Sequence, residues 1–157
     1  MTAAVLFVCL GNICRSPTAH GVLLHTLAGR GLADRVQVDS AGTGDWHAGE
    51  PPDRRAQRHA ALRGYDLSGL RARQVTDEDF QRFTHILAMD RPTLAALEAM
   101  RPADFGGELG LFLGCGSRDL LEVPDPYYGG QQGFEEVLDL VEDAADGLLA
   151  RIGGHPG

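Results

Sequence analysis

The sequence predicts an α/β fold: a mostly parallel sheet with helices on both faces. Three observations carry it. Short apolar runs alternate along the chain with amphipathic stretches, the pattern of βαβ units. The first run, Val5-Leu6-Phe7-Val8, is continuously apolar and reads as a strand buried on both faces. The last stretch, Phe134 to Ile152, sets Phe134, Val137, Leu138, Val141, Ala145, Leu148 and Ile152 at three- and four-residue steps, the clearest helix of the chain. A length of 157 residues suits one domain, 1–157, that builds its own core.

The elements follow in order. After the first strand, Ser16-Pro17 reads as an N-cap with Pro at the first helical position. That helix carries Val22, Leu23 and Leu27 on one side and stops near Gly29-Arg30-Gly31. Val36-Gln37-Val38 is a second short strand, and Ala41 to Pro52, rich in Gly and Pro, is a long loop. Asp53 to Arg63 reads as a helix with Ala56, Ala60 and Leu62 inward and Gly64 ending it. Thr76 and Asp79 resemble a capping box opening a short helix through Phe83. His85 to Met89 is a third strand, Pro92 to Met100 a helix, Leu109 to Leu113 a fourth strand, and Gly114 to Gly133 a loop. Right-handed crossovers place helices on both faces of such a sheet. Ligands bind beyond the carboxyl ends of its strands, here after Val8, Val38, Met89 and Leu113.

Composition removes several function classes. The net charge is −8 and the pI about 5.1, which argues against a nucleic-acid partner, because phosphate backbones need a basic face. All 14 basic residues are Arg. A Walker A loop and Schiff-base chemistry both need a Lys. Three cysteines, Cys9, Cys14 and Cys115, do not make a disulfide framework, and the spacing of Cys9 and Cys14 is poor for zinc. No metal site is expected. Ala3 to Leu10 lacks the basic leader of a signal peptide, and no run approaches the ~18–20 apolar residues of a membrane span. A reducing, cytoplasmic setting without a membrane partner is the expectation.

The chemistry concentrates in Cys9-Leu10-Gly11-Asn12-Ile13-Cys14-Arg15-Ser16-Pro17. The amides of a strand-to-helix turn can converge on one point, and a helix N-terminus adds roughly +0.5 charge there. Arg15 adds a planar cation that can grip two phosphate oxygens. Together they would cradle a dianion. The same field falls on Cys9, which is expected to be ionised at neutral pH and placed for in-line attack. Gly11 lets the backbone approach a ligand, Asn12 tolerates left-handed dihedrals, and the Ser16 hydroxyl could donate to the thiolate. In Pro124-Asp125-Pro126 the flanking prolines present Asp125 rigidly. A carboxyl group beside a bound dianion tends to hold its proton, which suits a general acid. Trp46, Tyr127 and Tyr128 are loop aromatics, either anchors or the walls of a slot for a phenol ring.

The stretch Cys9 to Pro17 resembles the signature of the low-molecular-weight protein tyrosine phosphatases. The similarity continues through Ser40-Ala41-Gly42-Thr43, Asp45-Trp46, Ala72-Arg73-Gln74-Val75-Thr76, Glu78-Asp79-Phe80, Met89-Asp90 and Asp125-Pro126-Tyr127-Tyr128-Gly129. The resemblance implies a three-layer, four-stranded parallel sheet flanked by helices on both faces. It implies a metal-free phosphatase without a cofactor, which acts on phosphotyrosine proteins and binds phosphate or other oxyanions. It implies Cys9 as nucleophile, Arg15 and the loop residues Leu10, Gly11, Asn12, Ile13, Cys14 and Ser16 as the phosphate cradle, and Asp125 as acid. Trp46 and Tyr127, with Tyr128 beside them, would line the cleft.

The resemblance further implies that Cys14 captures oxidised Cys9 as a reversible disulfide. It also implies that Asn12, Ser16 and Ser40 share a supporting hydrogen-bond network. Two departures stand out: Leu70 where many members carry a network His, and His20 where a Glu is common. Asp90 matches a family Asp and reads as structural, and His47 and Glu50 sit at the variable cleft edge. Three rivals remain. Arsenate reduction would need two further thiols, and downstream only Cys115 exists. In arginine phosphatases the residue matching Ile13 is typically Thr. A non-catalytic phosphotyrosine-binding module would lack Cys9 or Asp125, and both are present. The oligomeric state is not expressed in the sequence.

Overall fold

The computed structural model of the chain describes residues 3–126 and 130–153. Its sheet has four parallel strands in the order β2-β1-β3-β4: β1 Ala3–Cys9, β2 Val36–Gly42, β3 His85–Ala88 and β4 Glu108–Leu111. The helices are α1 Arg15–Gly29, α2 Arg54–Leu62, α3 Asp79–Arg82, α4 Arg91–Met100 and α5 Gln131–Gly153. A single 3-10 turn, Phe112–Cys115, follows β4.

Strand periodicity sorts β1 between two cores. Val5, Phe7 and Cys9 face α1 and α5, among Leu23, Leu27, Leu138, Val141 and Leu148. Ala4, Leu6 and Val8 face the opposite layer, among Phe80, Phe83, Leu97 and Phe105. That double burial is why the run is apolar without alternation. Phe7 meets Phe112 edge-on, with centroids 4.7 Å apart. The strand order reverses beside β1, so a crevice opens at its carboxyl end, where Cys9 stands.

Several boundaries differ from the sequence reading. α1 begins at Arg15, one residue before Pro17's expected cap, with Cys14 in the N-cap position. Ser16 cannot serve as that cap because its hydroxyl is drawn to Cys9 and Asn12. Pro17 is tolerated because first-turn N–H groups have no intrahelical acceptor. β2 runs on to Gly42, into the expected loop. Leu62 is exposed rather than inward, at 79%, while Ala56 and Ala60 are buried. β4 ends at Leu111, and Phe112 and Leu113 enter the core from the 3-10 turn instead. The Asp53 side chain caps α2 by accepting from the Arg55 and Ala56 N–H groups, and Asp90 caps α4 by accepting from Thr93 N–H. Asp79 reaches back to the Thr76 N–H at 2.8 Å, half of the expected capping box.

A polar clamp joins α2 to α5. Arg63 pairs with Glu135, Asp139 and Glu142, and the Tyr65 hydroxyl donates to Glu142. His59 meets Glu135 and stacks on Phe134.

α5 packs on the 3-10 turn through Gly147, where a Cβ would run into the carbonyl oxygen of Cys115. Gly147→Ala therefore sets helix propensity against overpacking, and overpacking is the larger effect. The variant is expected to lose about 1–3 kcal/mol in a denaturant titration. A gain in stability would show that the two elements separate easily.

Candidate active site

The site grows from the end of β1. Cys9 is buried, and its sulfur receives the Asn12 N–H at 3.2 Å and faces the Ser16 hydroxyl at 3.0 Å. Asn12 takes a left-handed conformation, φ +57, which folds the loop back over the sulfur. Its side-chain amide donates to Ser16 Oγ at 2.8 Å. That oxygen accepts on one side, and its own proton can go to the Cys9 sulfur at 3.0 Å or to the Ala41 carbonyl at 3.4 Å. The Asn12 N–H and the Ser16 hydroxyl therefore converge on the Cys9 sulfur.

Neighbouring segments pin the loop from outside. Thr43 and Gly44 N–H groups donate to the Cys9 and Leu10 carbonyls, and Asp53 N–H donates to Ile13. Arg73 N–H donates to Asn12 Oδ1 at 3.0 Å. Arg73 itself is held by its guanidinium, which pairs with buried Asp79 and with Asp39. Gly42 is required where β2 passes beneath the loop: a Cβ there would sit 2.8 Å from the Leu10 carbonyl oxygen. At Gly11 a Cβ would press on the His47 ring, at 3.2 Å. Spacing gives Asp79 only a helix cap, and neither composition nor spacing assigns a site role to Arg73 or Gly42; the family motifs that contain all three are the available signal.

Arg15 is 5% exposed. Its Nη1 donates to Asp90 Oδ2 at 2.7 Å and to the Val123 carbonyl at 3.0 Å, and its Nη2 lies 3.7 Å from Asp125 Oδ2. Burial opposes the charge, but the negative field of Cys9, then Asp90 and Asp125, outweighs it and raises the guanidinium above its ordinary value. Burial likewise opposes the Asp90 charge; hydrogen bonds from Thr93 and Arg15 overcome it and hold the carboxyl below its ordinary value. Asp90 thus orients the cation, consistent with a structural reading.

The cleft has a volume of about 370 Å³ and is lined by Cys9, Leu10, Gly11, Ile13, Cys14, Arg15, Trp46, His47 and Asp125. Asn12, Ser16 and Ser40 lie buried behind this surface. Trp46 is 67% exposed and lies over Gly44, forming one wall. His47 pairs with Glu50 at the rim. Burial first, then Asp53 and Cys9, push the Cys14 thiol far above its ordinary range, so it stays protonated. Tyr127 and Tyr128 lie outside the described residues. Among the described residues no cluster of His, Cys, Asp or Glu is arranged for a metal ion. No described helix is long and apolar enough to cross a membrane.

The two departures resolve in different ways. Leu70 is half-buried and packs on the α1–α5 core, so it adds apolar contact rather than a hydrogen bond. His20, buried on α1, bonds through Nδ1 to Ser40 Oγ at 3.0 Å. An imidazole therefore supports Ser40, and it comes from α1.

Comparison with known proteins identifies the family. The model of the family described as low molecular weight phosphotyrosine protein phosphatase matches residues 4–155. A Synechocystis relative, itself named as a candidate low molecular weight protein-tyrosine-phosphatase, is 46% identical over 95% of this chain and 96% of its own. The Bacillus subtilis low molecular weight protein-tyrosine-phosphatase YfkJ is 41% identical over 95% of both chains. The crystal structure of an Entamoeba histolytica protein tyrosine phosphatase, with Hepes in its active site, superposes with a TM-score of 0.93 at 36% identity, covering 98% of each chain.

The His20–Ser40 contact generates a pH dependence. Burial lowers the His20 pKa most; Asp39 works against this and Arg73 adds to it. The unfolded chain therefore takes the proton first. Neutral His20 contributes its full stability above about pH 6.5, and the contribution is lost as pH falls through the lowered folded-state value. The denaturation midpoint of the native chain is expected to drop from pH 7 to 5 more steeply than that of His20→Gln. Parallel slopes would show that His20 is not the titrating group.

Proposed function

The chain belongs to the low molecular weight phosphotyrosine protein phosphatase family, and from that premise we propose how its residues hydrolyse phosphotyrosine and aryl phosphate monoesters. The observation that carries the reading is Cys9 at the floor of the cleft, with the Asn12 N–H donating to its sulfur, the Ser16 hydroxyl facing it, and Arg15 and Asp125 on the walls.

The phosphoryl group of the substrate rests on the amides of the loop from Leu10 to Arg15, with its charge spread toward the Arg15 guanidinium. Cys9 Sγ attacks phosphorus in line with the leaving phenolic oxygen, forming a sulfur–phosphorus bond as the oxygen–phosphorus bond breaks. Asp125 gives its proton to that oxygen. The resulting carboxylate then takes a proton from water, which attacks the cysteinyl-phosphate, releasing inorganic phosphate and restoring the Cys9 thiolate. Trp46 holds the aryl ring from one side, and Ile13, bulky at the cleft surface, favours a flat aryl ester. The entire chain, 1–157, is read as one phosphatase domain, supported by a family match spanning residues 4–155.

Two finer readings belong with it. A reducing, cytoplasmic setting is supported by three free cysteines. Reversible oxidation is supported by Cys14 lining the same cleft as Cys9. A peroxide would convert Cys9 to a sulfenic acid, which condenses with the Cys14 thiol to a disulfide with loss of water.

Cys9→Ser is expected to abolish steady-state hydrolysis of p-nitrophenyl phosphate while vanadate binding persists, because amides and Arg15 remain. Retained turnover would remove Cys9 as nucleophile. Asp125→Asn is expected to lower kcat by roughly 10²–10⁴-fold for poor leaving groups, as loss of a general acid does, and by less for good ones. An equal loss across a leaving-group series would exclude proton donation by Asp125.

A further inference from the structure

α2 is fastened on its inner side only. Ala56, His59 and Ala60 are buried, and His59 reaches α5, as does Arg63 just past the helix end. Its outer side presents Arg54, Arg58 and Leu62, spaced four residues apart and all exposed. Arg54 and Arg58 make no ion pair and no side-chain hydrogen bond among the described residues. The arginines around them are engaged: Arg15 with Asp90, Arg55 with Asp53, Arg63 with Glu135, Asp139 and Glu142, and Arg73 with Asp39 and Asp79. The nearby acids are engaged by the same pairs, and Glu50 by His47. In a chain of net charge −8, this face is a local reversal of sign.

The stripe starts at the cleft. Asp53, the N-cap of α2, donates its N–H to the carbonyl of Ile13 at 2.8 Å, and Ile13 lines the cleft. From there Arg54, Arg58 and Leu62 lead away in line. We propose that this face docks an acidic segment of the protein substrate next to the phosphotyrosine held in the cleft, an inference that rests on the phosphatase reading.

The spacing specifies the segment. Four residues along a helix advance about 6 Å, and two residues along an extended chain advance about 6.6 Å. An extended substrate with acid–x–acid–x–apolar spacing therefore sets its carboxylates opposite Arg54 and Arg58 and its apolar side chain opposite Leu62. Guanidinium forks suit carboxylates in particular. The pairs are exposed and individually weak, so the preference is moderate and sensitive to salt.

The test measures kcat/KM for peptides in which the phosphotyrosine is followed by Asp-x-Asp-x-Leu, Asn-x-Asn-x-Leu or Arg-x-Arg-x-Leu, or preceded by the same series in reverse order, so that Leu is always farthest from it. The native chain and the R54E/R58E variant are compared, each referred to its own p-nitrophenyl phosphate turnover. The native chain is expected to prefer the acidic peptide over the neutral one by about 3- to 20-fold at low ionic strength, and to lose the preference in roughly 0.5 M salt. R54E/R58E is expected to favour the Arg peptide instead. The net negative charge disfavours acidic partners at long range, so the preference reads the local face. Equal values for the three peptides, or a preference that survives in R54E/R58E, overturn the docking proposal alone. Absence of p-nitrophenyl phosphate turnover by the native chain overturns the phosphatase reading and the docking proposal with it.

Discussion

The site depends on one arrangement: polar groups of the loop converge on the sulfur at the end of a buried strand. Asn12 contributes to it twice. Its backbone N–H reaches Cys9, and its side chain fixes the Ser16 hydroxyl that faces the same sulfur. Both contacts need the left-handed turn at Asn12, a conformation most residues avoid. The turn holds because Arg73, Asp53, Thr43 and Gly44 tie the loop from outside. A strained loop persists only when its surroundings over-determine it.

Arg15 obeys a constraint of its own. A guanidinium this buried must find negative or carbonyl partners. Asp90 and Val123 take one terminal nitrogen, and the other is turned toward Asp125 and the cleft. The arrangement keeps the cation charged and aimed before any substrate arrives, which is what electrostatic preorganisation requires. Arg73 repeats the device one layer out, with its backbone serving Asn12 and its side chain fixed by Asp39 and Asp79.

α2 shows how one helix can have two occupations. Its inner side is committed to α5 through apolar contact and the Arg63 clamp, and its N-cap holds the loop at Ile13. The outer side is uncommitted, cationic, and begins where the cleft ends.

The strand–loop–helix unit was readable from the sequence because its partners are close in the chain: Cys9, Asn12 and Ser16 lie within seven positions of one another. Hydrophobic periodicity similarly determined the parallel sheet and the long final helix, since both patterns are local. The helix start failed at Ser16 because its hydroxyl serves Cys9 and Asn12 instead of the helix N-terminus. Leu62 failed because periodicity alone does not say which side of a short helix meets a neighbour. Tertiary structure alone decided the clamp on Arg15, whose partners lie 75 and 108 residues away. It also decided the Arg73 contact with Asn12, across 61 residues, and the His20 bond to Ser40. Those contacts exist only because the strand order β2-β1-β3-β4 gathers four chain segments at one sheet end, and strand order is a long-range property that local pattern does not encode.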